Sequence, residues 1–266
     1  MIHPKEINRV AARNKLKDTQ IEKDYILSRL LFGIARNAVL SKQFVFKGGT
    51  ALKKTYFRDY RFSEDLDFTL LNEKITDDSL LQEFEKVYTF VKEEANITLQ
   101  LDKANTHVSG SLALYINYIG PLQANINSRN VKIDITRGEV LEYPVEQRTV
   151  FILYSDLPQQ SFKLLCYSLP EILIEKMTAL MGRTEPRDLF DFWYLTEHEK
   201  MDTRYHKREF VNKAKNKKQD PELFEEKVLA KEKNLKQGWE KKLSNQMQNL
   251  PEFDEVFRKA RRNFKL

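Results

Sequence analysis

The feature that most constrains the fold is a Gly-Gly pair that ends one short apolar segment and precedes a helical one. Residues 43–46 are mostly apolar, Gly48 and Gly49 follow almost at once, and Thr50 begins a segment of helical composition. This order is typical of a buried strand that turns directly into a helix. The sequence therefore predicts a strand, a glycine turn and a helix over residues 50–57.

Two acids open the next predicted strand, residues 66–70. Asp65 and Asp67 are two positions apart, so their side chains should point to the same face of the sheet. Adjacent carboxylates repel one another unless a cation neutralises them. Mg²⁺ takes oxygen ligands and is often shared between one or two carboxylates and substrate phosphates. The pair indicates a magnesium site, although a solvated strand edge has the same composition.

The glycine turn and a third acid extend this interpretation. Gly48 and Gly49 let backbone N–H groups approach an anion, and a helix starting at Thr50 favours phosphate at its positive end. A tight turn without a ligand is the alternative. Asp134 lies in another predicted strand, on the same face as Lys132. It can serve as a metal ligand or as a proton acceptor, or it can form an ordinary ion pair with Lys132.

The remainder of the chain predicts an α+β fold. Further strands are predicted over residues 97–101, 111–118, 131–136 and 148–153, and helices over 17–38, 77–95, 170–181 and 186–197. The composition becomes helical after Pro158. We therefore predict two domains, residues 1–160 and 161–266.

Composition limits the partners and the compartment. The formal net charge of +6 and the isoelectric point of about 9.1 favour a polyanionic partner such as nucleic acid, although 32% charged residues of both signs also describes an ordinary surface. The single cysteine, Cys166, fits a reducing compartment. The N-terminus lacks a signal peptide, and no apolar run approaches the ~18 residues of a membrane span. We expect a cytoplasmic protein without membrane contact.

Several segments together resemble the AbiEii/AbiGii toxin family of nucleotidyltransferases, within the polymerase-beta-like nucleotidyltransferase superfamily. The segments that carry the resemblance are 21–25, 47–53, 61–68, 175–180 with Arg183, and 186–191. The wider superfamily has Gly-Ser where this chain has Gly49-Thr50, and a threonine hydroxyl can make the same phosphate contact. The match reaches from about residue 21 to 195, and the last 70 or so residues carry no matching motif.

The resemblance implies a nucleotidyltransferase-fold mixed sheet flanked by helices, with a C-terminal helical domain. It also implies roles for particular residues. Nucleotide binding is expected of Lys47, Gly48, Gly49, Thr50, Ser63, Arg187 and Asp188. Catalytic roles are expected of Asp65, Asp67, Asp134, Lys176 and Asp191, and Mg²⁺ binding of Asp65, Asp67 and Asp134.

Four of these residues have alternatives that the sequence leaves open. Ser63 either contacts phosphate or caps the turn before the strand. Lys176 lies beside an apolar helix stripe, where a lysine usually extends to water, and the resemblance instead favours a phosphate contact. Arg187 and Asp188 either clamp the two domains together or contact the substrate directly.

The function implied by the resemblance is a magnesium-dependent nucleotidyltransferase toxin of a toxin–antitoxin or phage-defence system. Such an enzyme would transfer a nucleoside monophosphate from a nucleoside triphosphate to an RNA acceptor, with the 3′ end of tRNA favoured, and would have a cognate antitoxin. Transfer to a protein or small molecule is one alternative, and a non-catalytic interaction protein is another. The basic segments 213–218 and 258–262 could follow a phosphate backbone or simply form solvated helix faces.

Overall fold

The structure is a computed structural model, and it describes residues 1–157 and 161–266. Contacts between Cα atoms divide the chain into two compact units. The first unit contains Met1–Glu139 and Val145–Cys166, and the second contains Val140–Pro144 and Tyr167–Leu266. The predicted domain boundary at residue 160 falls outside the described residues and stays a prediction.

The first unit is a mixed seven-stranded sheet with helices. Its helices are α1 (Pro4–Asn14), α2 (Asp18–Arg36), α3 (Leu40–Gln43), α4 (Gly48–Ala51) and α5 (Asp77–Ala95), and a π-helical turn (Leu52–Tyr56) continues α4. Its strands are β1 (Phe44–Lys47), β2 (Asp65–Leu70), β3 (Thr98–Thr106), β4 (Leu112–Ile119), β5 (Asn130–Thr136), β6 (Glu146–Thr149) and β7 (Lys163–Cys166). The strand order is β3-β4-β5-β2-β1-β7-β6. The predicted α+β mixed sheet is confirmed.

The centre of this sheet contains two parallel strand pairs. β2 runs antiparallel to β1 and parallel to β5, and β1 runs parallel to β7. The buried face of β2 carries Leu66 and Phe68, and that of β5 carries Ile133 and Ile135. The alternation predicted from the sequence is therefore present, and it leaves the acids of both strands on the opposite face.

Most predicted elements appear with shifted ends. The predicted helix over 17–38 is α2, and the predicted helix over 50–57 starts two residues earlier because Gly48 itself enters the helical turn. The strand predicted over 97–101 extends to Thr106, and the one predicted over 148–153 ends at Thr149. Three elements, α1, α3 and β7, are not among those predicted from the sequence. α3 and β7 span four residues each, too few to show an apolar period, whereas α1 has Ile7 and Ala11 buried on one face and could have been recognised from its helical spacing.

The second unit is helical. Its helices are α6 (Leu169–Gly182), α7 (Pro186–Trp193), α8 (Lys207–Asn216), α9 (Phe224–Leu229), α10 (Glu232–Leu243) and α11 (Phe253–Arg261). A π-helical turn (Tyr194–His198) continues α7 and a 3₁₀ turn (Thr203–His206) precedes α8. Buried rings of Phe192, Phe210, Phe224 and Phe264 form a core, with neighbouring ring centroids 5.2–6.2 Å apart. Such packing accounts for the order of a segment that is highly charged.

No helix in residues 1–157 or 161–266 combines the length and the hydropathy that crossing a bilayer requires.

Candidate active site

A row of charged residues crosses three neighbouring strands of the sheet. Lys47 at the end of β1 pairs with Asp67 in β2, and Asp67 pairs with Asp134 in β5. Directly paired residues point to the same face, so these three side chains share one face of the sheet. The structure therefore brings together the acids that the sequence placed in two separate strands.

Asp65 lies one step further along the same face of β2. Its register partner in β5 is Lys132, and the Lys132 ammonium lies 2.7 Å from Asp134 Oδ2. Burial alone would lower the pKa of Lys132, but the hydrogen bond and charge of Asp134 outweigh it and raise the pKa. The ion pair that the sequence left open is present, and both side chains are 31% exposed. A catalytic or metal-binding role for Asp134 stays a prediction.

The glycine turn lies directly against this face. Gly48 has a φ of +77°, a conformation that residues with a side chain rarely adopt. A Cβ atom at this position would lie 2.5 Å from Asp67 Oδ2. Thr50 Oγ1 donates a hydrogen bond to the main-chain carbonyl of Asp65 at 2.5 Å. The turn is thus joined to β2 by one close approach and one hydrogen bond.

The Thr50 hydroxyl has a consequence for anion binding. Its single O–H donates to the Asp65 carbonyl, so in this arrangement it has no proton left for a phosphate oxygen. A phosphate at the turn would meet backbone N–H groups rather than this hydroxyl. The predicted phosphate-binding role of Thr50 stays a prediction.

Arg61 is a neighbour of the turn that the sequence analysis did not select. Its side chain is 3% exposed, and its Nη2 occupies the place that a Cβ atom at Gly49 would take. A cation fixed beside a glycine turn favours anions in the same way as the backbone N–H groups do. The signal was available, because Arg61 begins one of the segments that resemble the family.

Two other predicted nucleotide-binding residues, Ser63 and Lys47, lie before β2 and at the end of β1. β2 begins at Asp65, so Ser63 precedes the strand, and the alternation of side chains in β2 does not place Ser63 on the face of Asp65 and Asp67. Lys47 is buried, with its Nζ 4.0 Å from Glu139 Oε2. Nucleotide contacts by either residue stay predictions.

Metal-binding capacity rests on the acids of this face. Among the described residues, no three His, Cys, Asp or Glu side chains are grouped closely enough to form a complete metal site by themselves. Asp65 and Asp67 supply carboxylate oxygens from one strand face, and both residues are only partly buried. Two carboxylates of this kind suit a cation whose remaining ligands are phosphates and water.

The second unit contains a separate cluster of predicted residues. Lys176 on α6 lies 2.8 Å from Asp188 Oδ1 and 2.7 Å from Asp191 Oδ2, and both aspartates are fully buried. Arg183 Nε also donates to Asp188, at 2.7 Å. Burial alone would raise the pKa of Asp188, but the charges of Lys176 and Arg183 together lower it. Lys176 is therefore held between two carboxylates instead of extending to water.

Arg187 lies beside this cluster in sequence but is only half-buried. Asp188 faces Lys176 and Arg183, which belong to the same unit. Direct substrate contacts of Lys176, Arg187, Asp188 and Asp191 stay predictions.

The segment 21–25, which resembles the family's N-terminal helix, supplies structural contacts. Glu22 on α2 accepts a hydrogen bond from the Leu122 backbone N–H at 2.6 Å and pairs with Arg129. Asp24 pairs with Lys54 at 2.7 Å inside the unit. These contacts join α2 to the segment that precedes β5 and to the π-helical turn that follows α4. The sequence alone gave no indication of a role for these charges.

Comparison with known structures places this fold among nucleotidyltransferases. MenT4, the nucleotidyltransferase toxin Rv2826c from Mycobacterium tuberculosis H37Rv, is 15% identical with a TM-score of 0.64, and the match covers 100% of this chain and 89% of that one. JHP933 from Helicobacter pylori is 18% identical with a TM-score of 0.56, covering 94% and 92%. A search of curated protein sequences gives no match.

The mixed sheet, together with the family match that follows, defines the class of the protein as a nucleotidyltransferase. The model of the family described as "Nucleotidyl transferase AbiEii toxin, Type IV TA system" matches residues 29–259. The chain belongs to the AbiEii family of toxin nucleotidyltransferases. The family resemblance found in the sequence is confirmed.

Proposed function

We propose that this protein transfers a nucleoside monophosphate from a nucleoside triphosphate to an RNA acceptor in a magnesium-dependent reaction. The 3′ end of tRNA is the acceptor that we favour. The observation that carries the proposal is the placement of Asp65 and Asp67 on one strand face, with Asp134 opposite Asp67 and the Gly48-Gly49 turn against it.

The reaction needs little covalent chemistry from the protein. The acceptor hydroxyl oxygen attacks the α-phosphorus, the bond between the α-phosphorus and the bridging oxygen breaks, and pyrophosphate leaves. Bound Mg²⁺ would supply charge neutralisation at the phosphates, and Asp65 and Asp67 would hold it, with Asp134 as a third candidate ligand. Catalysis of this kind consists mainly of positioning and electrostatic stabilisation.

The residues around the acids support binding of the triphosphate. The backbone of the Gly48-Gly49 turn and the buried Arg61 guanidinium both favour an anion at this face. Asp134 would accept the proton of the attacking hydroxyl, and its ion pair with Lys132 holds its carboxylate in place. In the second unit, we propose Lys176 and Arg187 as phosphate contacts, with Asp188 and Asp191 as positioning residues for Lys176.

The biological role that follows is growth inhibition by RNA modification within a toxin–antitoxin or phage-defence system. A cognate antitoxin is the implied partner. We place the reaction in the cytoplasm, where the proposed nucleotide and RNA substrates are found.

Labelling experiments test the proposal directly. The purified protein is incubated with each α-labelled nucleoside triphosphate, Mg²⁺ and total RNA. We expect label in RNA, no transfer from γ-labelled nucleotide, and no transfer when EDTA removes the metal. Asp65→Asn and Asp67→Asn should each reduce transfer on the order of 100-fold or more, as loss of a charge-stabilising group typically does.

Asp102→Asn is the matched control, because Asp102 is an exposed acid on β3 of the same sheet. It should transfer label at the wild-type rate. Label in a protein or small molecule instead of RNA would show that the acceptor is wrong. Equal transfer by Asp67→Asn and wild type would show that the proposed site is wrong.

A further inference from the structure

The C-terminal end of the chain concentrates positive charge. Residues 258–266 include five Lys or Arg and no acid, and residues 200–208 include four and a single Asp. The two segments meet in the second unit, where Thr203 Oγ1 donates a hydrogen bond to the Asn263 carbonyl at 3.0 Å. The fold therefore combines two basic segments that are about 60 residues apart in sequence.

A concave surface of about 350 Å³ lies at this junction. We call it the basic groove, and the residues that define it are Lys200, Asp202, Arg204, Arg262, Asn263 and Lys265. Apart from Met201, the described residues that line it are polar or charged. A protein partner usually meets an apolar centre with few charges, so this lining does not suit one.

Three cations of the basic groove are available to a ligand. Asp202 already binds Arg204, with Oδ2 2.7 Å from Nη2. Lys200, Arg262 and Lys265 are exposed, and within residues 1–157 and 161–266 their side chains form no ion pair. Lys213 in the same unit differs, because it is buried against Glu171 at 2.7 Å.

An exposed aromatic ring accompanies these cations. Tyr205 follows Arg204 in the 3₁₀ turn Thr203–His206 and is 83% exposed. An exposed ring beside a cationic groove is the combination with which proteins bind single-stranded nucleic acid, since bases stack on the ring and cations follow the phosphates. A neighbouring concave surface of about 230 Å³ shares Lys265 but contains Glu222 and Glu225, so it does not extend the positive field.

We propose that the basic groove binds the phosphodiester backbone of single-stranded RNA and that Tyr205 stacks on one of its bases. The inference rests on the proposed function, because RNA is the acceptor proposed there. It adds a binding surface within the second unit, in the part of the chain that carried no family motif. Only Arg262 had been singled out in sequence, as part of the basic segment 258–262.

Binding measurements with the full chain test this inference. Fluorescence anisotropy of a short, unstructured, labelled RNA is followed over a series of KCl concentrations. The variants are Lys200→Gln/Arg262→Gln/Lys265→Gln, Tyr205→Ala and Tyr205→Phe. The matched control is Lys233→Gln/Lys236→Gln/Lys241→Gln, which removes three exposed lysines of α10 in the same unit and changes the net charge equally. Circular dichroism verifies that each variant is folded.

The expected effects follow from the contacts. Each lost phosphate contact lowers the slope of log affinity against log salt by about 0.7, so the groove variant should lose about 2 in slope and bind at least roughly tenfold more weakly. Tyr205→Ala should bind roughly fivefold more weakly or worse, whereas Tyr205→Phe keeps the ring and should bind like wild type. The lysine control should stay within about threefold of wild type.

The outcomes separate this inference from the proposed function. Equal losses in the groove variant and the lysine control, with Tyr205→Ala unchanged, would overturn the groove as an RNA site. If wild type labels RNA and the groove variant binds and labels it equally well, the groove is refuted while the proposed function stands. If the groove variant loses RNA binding but wild type labels no RNA, the groove stands and the proposed acceptor is wrong.

Discussion

Replacing Lys54 by Met tests how the helix after the glycine turn is held in place. Lys54 Nζ lies 2.7 Å from Asp24 Oδ2 and donates to Ser28 Oγ at 2.8 Å. The exposed fractions of the Lys54 and Asp24 side chains are 0% and 1%. The Tyr154 hydroxyl donates to the same Asp24 oxygen at 2.6 Å, whereas Asp24 Oδ1 has no hydrogen-bond partner among the described residues.

The magnitude follows from burial. Lys54→Met removes the cation and leaves the Asp24 carboxylate buried, which costs about 3–5 kcal/mol when one partner of a buried ion pair is lost. Desolvation lowers the pKa of Lys54 even though Asp24 opposes it. The charged pair is therefore costly to bury, so removing both charges in Asp24→Asn/Lys54→Met should cost less than about 2 kcal/mol.

Urea unfolding followed by far-UV circular dichroism measures the effect. With an m value of about 2 kcal/mol/M, the midpoint for Lys54→Met should fall by roughly 1.5–2.5 M urea. Lys236→Met is the matched control, because Lys236 lies at the same 2.7 Å from Asp254 but the two side chains are 56% and 71% exposed. That variant should lose less than about 1 kcal/mol.

Two results would contradict the predicted effect of Lys54→Met. One is a loss for Lys54→Met no larger than that for Lys236→Met, since burial would then have no effect. The other is a double variant, Asp24→Asn/Lys54→Met, whose loss equals the sum of the two single losses. Such additivity would mean that the two charges do not interact.

Three further perturbations are predicted. Gly48→Ala should lower nucleotidyl transfer on the order of 100-fold by displacing Asp67, whereas Gly110→Ala, with a φ of +80° but a nearest contact at 3.9 Å, should keep wild-type activity in the same assay. Burial lowers the pKa of Lys53 to about 8, so the unfolded chain binds more protons than the folded protein between pH 8 and 10.5. The free energy of unfolding should therefore rise by up to about 3 kcal/mol over that window, and urea titrations of Lys53→Met should not show this rise. Lys213→Met should destabilise the second unit by about 3 kcal/mol or more, because it leaves the buried Glu171 carboxylate without its cation. Tryptophan fluorescence will report the change because both tryptophans, Trp193 and Trp239, lie in that unit, and an unchanged urea midpoint would contradict the prediction.

The local parts of the fold could be predicted from sequence because their signals are local. The alternation in residues 131–136 leaves Ile133 and Ile135 buried, and the structure has a strand there. Strand pairing is different, since β2 and β5 are about 60 residues apart and nothing in either strand specifies the other. The row of Lys47, Asp67 and Asp134 depends on that pairing, so the sequence supplied its members without their arrangement.

Buried charges were the main features that could not be predicted. Lys213 belongs to a run of lysines that reads as a solvated helix face, yet it is 1% exposed and pairs with Glu171. Glu171 also accepts hydrogen bonds from the backbone N–H groups of Glu142 and Tyr143, which holds residues 140–144 within the helical unit. Charge patterning describes the average environment of a residue, and a specific distant partner overrides it.

A family motif contains both residues that bind ligands and residues that hold the fold together, because each function requires a fixed side chain. For the acids of this chain, we expect exposure to indicate which residues belong to which group. Asp24 and Lys54 are at most 1% exposed and form an ion pair with each other, so neither can reach a ligand without breaking that buried pair. Asp65, Asp67 and Asp134 are only partly buried and lie on one face of the sheet, two in β2 and one in β5.

Lys176 is a residue for which exposure and the family motif point to different roles. Its side chain is 8% exposed and lies between two fully buried carboxylates, which resembles the environment of Lys54 more than that of Asp134. A phosphate that bound Lys176 would compete with Asp188 and Asp191 for the same ammonium. Phosphate binding by Lys176 therefore requires that its three donors be shared among these oxygens, a geometry that the compact ammonium group permits and that a methionine at this position would abolish.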